Sequence, residues 1–374
     1  MAMQIPAAKI CFPEEDRQLL LNQIGGILES GQLTLGKYTK EFEEKFAAYV
    51  GTKFAIAVNS GTSALEIVLR ALDIEGFSVV VPTNTFFATA AAVIHAGGKV
   101  VFADNSENLC LDTESLKKAI TNNVKAVILV HIGGAVAPQT NEILKICNER
   151  NLYLIEDAAH AHGSTYNGKP AGSFGIAGSF SFYPTKVMTS GEGGMITTNN
   201  EVIYNRALVF RDQGKAGFLG NIHTEMGNNW RMSEIHAAIG LSQFNRLDEF
   251  ISDRRRAAKI YDERLKGTLG LKILKIPNEV KSNYYKYIAV LDNNIDRTQF
   301  KKKVKENYGI GLSGEVYELP LHLQPIFKKI YGSKEGQFPV AEDLCKRHIC
   351  LPVFARMSEE QANYVADSLK EAIK

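Results

Sequence analysis

From residue 54 onward, short apolar runs alternate with segments of helical period, and that alternation leaves few architectures open. The runs fall at 54–58, 78–81, 100–103, 126–130, 153–155 and 194–198. Helical patterns fill the gaps, running from Thr62 through Leu72, over 88–97 and over 142–150. Apolar strands alternating with helices indicate an α/β fold whose mostly parallel sheet is covered on both faces. In such sheets ligands collect outside the carboxyl ends of the strands. The residues that follow each run are therefore where chemistry is sought first.

The first run leads into Asn59-Ser60-Gly61-Thr62-Ser63, then a helix. A strand, a tight glycine turn and a helix start present free N–H groups and a positive dipole end to an anion. Ser60, Gly61 and Thr62 are the candidates for a phosphate site, although Ser and Thr are also common helix caps. After the second run, Phe86 sits in a strand-to-helix loop, where an aromatic ring can stack on a flat cofactor or simply join the core. The fifth run ends in Glu156-Asp157, and Lys186 follows later in Ser181-Phe182-Tyr183-Pro184-Thr185-Lys186, ahead of Gly191, Gly193 and Gly194. Alone, such a lysine is most often a solvated surface residue, and such an aspartate a turn or cap residue. Together they read as the two poles of a pyridoxal phosphate site. Lys186 would form an imine with the cofactor aldehyde and later shuttle protons. Asp157 would hold the pyridine nitrogen protonated, so that the ring takes up electrons.

The flanking sequence is consistent with this plan. Acids at Glu14, Glu15 and Asp16 open a first helix that stops near Gly31, and 38–50 forms a second with Phe42 and Phe46 as core anchors. A glycine-rich irregular stretch covers 212–228, and a long helix begins near Ser233. The chain turns strongly charged near Arg254, so the domain division is placed at 1–252 and 253–374, with the N-terminal helix able to pack on the smaller part. That part carries a strand at 287–291, helices at 298–307 and 358–373, and a proline-bounded loop at 317–325.

Composition narrows the function classes. With Lys+Arg at 43 against Asp+Glu at 41, the net charge is +2, and no long basic run argues for nucleic acid or an anionic membrane. No apolar run approaches the ~18 residues of a membrane span. The five cysteines show no C-x-x-C spacing, which speaks against a zinc site or disulfide framework and fits a reducing cytoplasm.

Taken together, SGQLTLGKYTKEFEEKFAAYVG (30–51), NSGTSALEIVLRAL (59–72), PTNTFFATAAAVIHAGG (82–98), EDAAHAHGSTYNGKPAGSFG (156–175), SFSFYPTKVMTSGEGGMITTN (179–199), NNWRMSEIHAAIG (228–240) and PLHLQPIF (320–327) resemble the nucleotide-sugar aminotransferases of fold type I. That family makes amino sugars for surface polysaccharides and antibiotics. The resemblance implies a large pyridoxal phosphate domain with a seven-stranded type of sheet and a small C-terminal α/β domain. It implies Lys186 as the Schiff-base lysine, Asp157 on the pyridine nitrogen, His160 near the phenolic oxygen and Phe86 over the ring. It places Ser60, Gly61, Thr62 and Ser181 at the phosphate, joined by Asn229 from a neighbouring subunit, hence a homodimer. More loosely it assigns Tyr317, Arg231 and His322 to the substrate pocket, with no metal. Arg211-Asp212-Gln213-Gly214 departs from the Arg-Asn-His-Gly common in the family, which puts that loop's contacts in doubt. The implied reaction moves an amino group from an amino acid, L-glutamate by preference, to a keto sugar linked to a nucleotide. A cyclitol ketone acceptor and a cofactor-binding regulator without turnover stand as rivals; Lys186 argues against the related dehydratases, which carry histidine there.

Overall fold

The computed structural model describes residues 3–217, 221–312 and 316–374. The expected loop at 212–228 is thus described except for 218–220, and the one at 317–325 in full. Two helices open the chain, α1 (Glu14–Ser30) and α2 (Lys37–Val50). The alternating region follows as β1 (Phe54–Val58), α3 (Gly61–Ala71), β2 (Ser78–Pro82), α4 (Phe87–His95), β3 (Lys99–Ala103), α5 (Thr113–Ala119), β4 (Val124–Val130), α6 (Thr140–Glu149) and β5 (Tyr153–Asp157). A small hairpin, β6 (Thr165–Tyr166) and β7 (Lys169–Pro170), precedes β8 (Ala177–Ser181), β9 (Gly194–Thr198) and α7 (Glu201–Arg211).

These strands form one seven-stranded sheet in the order β1-β9-β8-β5-β4-β2-β3. Neighbours pair in parallel except β9, which runs against both β1 and β8. The carboxyl ends of the other six therefore lie along one edge, with the start of β9 among them. Strand β8 escapes the sequence pattern. Its residues Ala-Gly-Ser-Phe-Ser have one bulky side chain and no β-branching, so local propensity is weak and pairing with β5 and β9 decides it.

One face of the sheet packs under α3, α4 and α7 through side chains such as Ile67, Val93 and Ala207. The other carries an aromatic cluster in which Phe42 and Phe46 of α2 meet Phe180, Phe182 and Phe244 at centroid distances of 4.9 to 6.1 Å. Helix α2 begins without a side-chain cap of its own. Its first amides are met instead by buried Glu234, which accepts from the N–H groups of Gly36, Tyr38 and Thr39 at 2.8 to 2.9 Å. Glu234 opens α8 (Glu234–Asn245), whose N-cap is Ser233, so one residue starts a helix and holds the start of another.

Helix α9 (Leu247–Leu265) changes cores along its length. Leu247, Phe250 and Ile251 join the aromatic cluster, whereas Ala257, Ala258, Tyr261 and Leu265 enter a third core. The expected division at 252 falls inside this continuous helix. The third core is built on β10 (Leu271–Ile273), β12 (Tyr287–Leu291) and β13 (His348–Leu351), which form an antiparallel sheet. The intervening β11 (Val280–Lys281) pairs with β6 instead. Helices α10 (Arg297–Tyr308) and α13 (Glu359–Ile373) cover that sheet, while α11 (Pro325–Tyr331) and α12 (Pro339–Arg347) turn back toward the first core. Helix α1 sends Leu20 and Ile27 into the aromatic cluster; the segment ahead of it reaches the small unit, through Ile5 bridged to Ile310. Among the described residues no helix is long and apolar enough to cross a membrane.

Replacing Glu234 with Ala leaves three buried amides without an acceptor. A loss of roughly 3 kcal/mol is expected, read as a lower denaturation midpoint with unchanged steepness in a urea titration.

Candidate active site

The carboxyl-end edge of the sheet opens into a cavity of about 500 Å³. Ser60, Gly61 and Thr62 line it after β1, Phe86 after β2, Val130 at the end of β4, Asp157 at the end of β5 and Ser181 at the end of β8. Lys186 and Glu192 come from the connection between β8 and β9, and Tyr285, Lys286, Val316 and Tyr317 close the cavity from the small unit. Ser60, Gly61, Thr62, Phe86, Asp157, His160, Ser181, Lys186 and Tyr317 are thus brought to one place, though they span most of the chain.

Adjacent strand residues face opposite sides of a sheet, and this splits the acidic pair at the end of β5. Glu156 points away from the cavity and is fully buried. It accepts from the amides of Gly172, Phe174 and Gly175 at 2.6 to 2.8 Å and from His131 Nε2 at 2.9 Å. His131 Nδ1 accepts from the Ala137 amide at 3.2 Å, which fixes the proton on Nε2. Asp157 points into the cavity. The Thr89 hydroxyl donates to its Oδ2 at 2.8 Å and the Ala159 amide to its Oδ1 at 3.2 Å. Burial pushes the Asp157 carboxyl above the usual range, opposed by these two hydrogen bonds and by the charge of Lys186.

Lys186 lines the same cavity, its ammonium 5.0 Å from the centre of the Tyr285 ring. Burial lowers its pKa to about 8; Asp157 resists that shift and the ammonium of Lys286 adds to it. The amine is thus far easier to deprotonate than an exposed lysine, as a nucleophile toward an aldehyde requires. His160 packs on Tyr285 at 4.4 Å between ring centres. Burial holds its imidazole neutral, its pKa far below the usual value, with Lys186 and Lys286 acting in the same sense.

The phosphate end is built from α3. Ser60 and Ser63 cap each other's amides, which leaves the Gly61 and Thr62 amides at the open end of the helix. Gly61 is pressed against β8: a Cβ there would stand 2.8 Å from Ser181 Cβ and 3.2 Å from the Phe180 carbonyl. The close approach brings the helix start and the Ser181 side chain to the same end of the cavity. An amine, a carboxylate and an anion cradle around one cavity match what pyridoxal phosphate presents.

Two expected site residues stand elsewhere, and Asn229, expected at a neighbouring subunit's site, also lies outside this cavity. His322 does not line the pocket. It is wholly buried, with Nδ1 2.7 Å from the Thr83 hydroxyl and Nε2 2.9 Å from Glu342 Oε1. Arg231 is turned to Asp212, the acidic residue of the divergent Arg-Asp-Gln-Gly segment, which takes its charge away from the cavity. Asn229 is exposed on a strip that lies along the end of β1, where the Asn59 amide donates to the Trp230 carbonyl at 2.9 Å. The 212–229 stretch is less irregular than its glycines suggest. Asp212 bridges Asn229 and Lys215 bridges His223. Gly214 has φ +80°, and a Cβ on it would lie 1.7 Å from the Glu225 carbonyl.

Thr89, Tyr285 and Lys286 carried no signal in the sequence. Tyr285 and Lys286 come from the segment just ahead of β12 in the other unit. Thr89 is one of several small residues in a helix, and only the tertiary structure sets it against Asp157.

The sequence profile of the DegT/DnrJ/EryC1/StrS aminotransferase family matches residues 14–370. The chain belongs to that family. Its relatives in the DegT/DnrJ/EryC1/StrS group include a GDP-perosamine synthase of Escherichia coli O157:H7, 36% identical over 343 residues, which are 90% of each chain. Among solved structures it resembles DesV of S. venezuelae in complex with a ketimine intermediate, with a TM-score of 0.93 and 29% identity over 99% of each chain. It also resembles the putative sugar aminotransferase Spr1654 from Streptococcus pneumoniae in its PLP form, with a TM-score of 0.92 and 26% identity over 99% of each chain. The α/β architecture is that of the family, and the chain is a transaminase of the sugar aminotransferase group, in which pyridoxal phosphate is the implied cofactor.

Two tests follow from the geometry. Since the free amine of Lys186 dominates only above about pH 8, borohydride trapping of an aldehyde on this lysine, followed by mass spectrometry on the cofactor-free chain, should rise through that pH. In Lys286→Met the midpoint should move upward. Gly61→Ala should weaken binding of pyridoxal phosphate several-fold by equilibrium titration, because the helix start must back away from β8.

Proposed function

We propose that this transaminase uses pyridoxal phosphate to move an amino group from an amino acid, L-glutamate by preference, to a keto sugar carried on a nucleotide. The observation that carries the reading is the single cavity that holds Lys186 and Asp157 at the carboxyl ends of the sheet. When bound there, pyridoxal phosphate would supply an aldehyde to carry nitrogen and a ring to take up electrons. Lys186 would hold it through Nζ, and Asp157 would keep its ring nitrogen charged. The Gly61 and Thr62 amides, the Ser181 hydroxyl and the α3 dipole would take its phosphate. Asn229, exposed in this chain, would reach the phosphate of a second copy, which makes the working unit a homodimer.

With the donor in place, Lys186 Nζ is free to take the proton from the donor's α-carbon. In the second half of the cycle it returns a proton to the sugar carbon that gains the amine. A buried amine with a pKa near 8 is suited to both directions, since both of its forms are populated near neutral pH. Neutral His160 and Tyr317 bound the same space without adding charge, and the Tyr317 hydroxyl lies 3.5 Å from His160 Nε2.

Room for a large acceptor adjoins the cavity. Phe86 and Tyr317 also line a second hollow of about 520 Å³, continued by Glu318, Leu319, Leu321 and Gln324. A sugar reaching inward past Phe86 would leave its nucleotide against this loop. GDP-perosamine synthases and a dTDP-3-amino-3,4,6-trideoxy-alpha-D-glucose transaminase among the relatives act on sugars of that kind by name.

Purified protein with pyridoxal phosphate and L-glutamate should release 2-oxoglutarate beyond one equivalent per site only when a nucleotide-linked keto sugar is supplied. Lys186→Ala should release none and should lose the visible absorbance of the lysine-bound cofactor. Turnover in that variant, or turnover with a cyclitol ketone and no nucleotide sugar, would overturn the proposal.

A further inference from the structure

Asp157 is held by a chain of hydroxyls. Thr85 sits in the loop after β2, and Thr89 lies in the first turn of α4. Both are buried. The Thr89 hydroxyl is 2.8 Å from Asp157 Oδ2 and 2.8 Å from the Thr85 hydroxyl. An ionised carboxylate can only accept, so the Thr89 proton points to Asp157. Thr89 oxygen is then left to accept, which makes Thr85 the donor behind it. Each donor polarises the next, and the chain strengthens the bond at its end.

The same segment carries Phe86, which lines the cavity between the two threonines. The backbone ties the set together, with the Thr89 amide donating to the Phe86 carbonyl at 3.1 Å. One turn of chain thus presents a ring to the cavity and a hydroxyl to the carboxylate on its floor. The Ala159 amide takes the carboxylate's other oxygen at 3.2 Å. With one donor on each oxygen, the Asp157 side chain is pinned at both ends. A carboxylate offers about four acceptor sites, so lone pairs remain for a partner inside the cavity.

We infer that Thr89, backed by Thr85, is the positioning residue for Asp157: its hydroxyl holds the carboxylate ionised and oriented toward the ring nitrogen of the bound cofactor. The inference rests on the reading of the cavity as a pyridoxal phosphate site. Thr89 itself does not line the cavity. Its influence passes only through Asp157, and that gives it a signature which a packing role would lack. The loss of its hydroxyl is felt only by a ligand whose ring has a nitrogen for Asp157 to hold.

Thr89→Val keeps the shape and removes the donor. The cofactor-free chain, its Thr89→Val and Thr89→Ser forms, and Thr85→Val should be titrated with pyridoxal phosphate. They should also be titrated with the 1-deaza analogue, in which carbon replaces the ring nitrogen. Thr89→Val should bind pyridoxal phosphate roughly tenfold more weakly, the scale of one hydrogen bond to a charged group, and the deaza analogue as tightly as the unaltered chain does. Thr89→Ser should restore the difference between the two ligands, and Thr85→Val should show it at smaller amplitude. Equal losses for both ligands, or none for either, would overturn the role of Thr89. Failure of the unaltered chain to bind pyridoxal phosphate would instead overturn the reading of the cavity on which the inference stands.

Discussion

A carboxylate and an amine buried in one cavity set the terms for the rest of this fold. Charges removed from water are costly unless other groups meet them, and here both groups show the strain of burial. Asp157 is pushed toward its neutral form and Lys186 toward its free amine. For Asp157 two hydrogen bonds oppose burial first and the charge of Lys186 follows; for Lys186 the opposing influence is the charge of Asp157. The surroundings bias this balance rather than remove it. Thr89 and Ala159 support the anion, while Lys286 leans on the amine. A cationic ring nitrogen between them would give Asp157 the full partner that it lacks.

The cavity depends on buried carboxylates of a different kind. Glu156 gathers three amides of the 172–175 turn, and Glu234 gathers three amides at the head of α2. Both are side chains used as backbone acceptors, where a loop or helix end has none of its own. Glu156 stands next to Asp157 in the sequence, and the pleat of β5 alone gives them opposite duties. The residue that fastens the turn beneath β8 and the residue that faces the cavity are therefore registered to each other. A one-residue slip in the strand would exchange them and lose both functions.

Much of this was legible in the chain itself, for an identifiable reason. The strands of the main sheet are apolar runs between helices, and strand ends gather at one edge whatever the details of packing. That is why Gly61, Phe86, Asp157 and Lys186 could be brought together before any fold was in view. Strand β8 was hidden because Ala-Gly-Ser-Phe-Ser has little preference of its own and takes its shape from two neighbours. His322 was misread because a histidine in a loop gives no sign of whether it faces a pocket or a buried partner. Arg231 was misread for want of knowing that Asp212 stands against it. Thr89 and Lys286 were invisible because their roles arise from contacts between segments that sequence spacing does not encode.

The misplaced histidine clarifies how the outer hollow is held. Loop 317–324 is pinned from its inner side: the Leu321 amide donates to the Thr83 carbonyl at 2.7 Å and the His322 amide to the Thr83 hydroxyl at 3.2 Å. Thr83 immediately follows β2, so the loop hangs from the sheet that also carries Phe86. Burial lowers the His322 pKa although Glu342 opposes this, so the imidazole is neutral. Its Nε2–H then donates to Glu342, and its Nδ1 accepts the Thr83 hydroxyl proton. The clamp ends on the Glu342 carboxylate, which, against its burial, the Gly336 and Phe338 amides and His322 hold below the usual range. The loop can therefore present Tyr317, Leu319 and Gln324 to the hollow as a fixed wall. Changes in those outward side chains can alter which acceptor fits there without disturbing the amine and carboxylate that work deeper in the cavity.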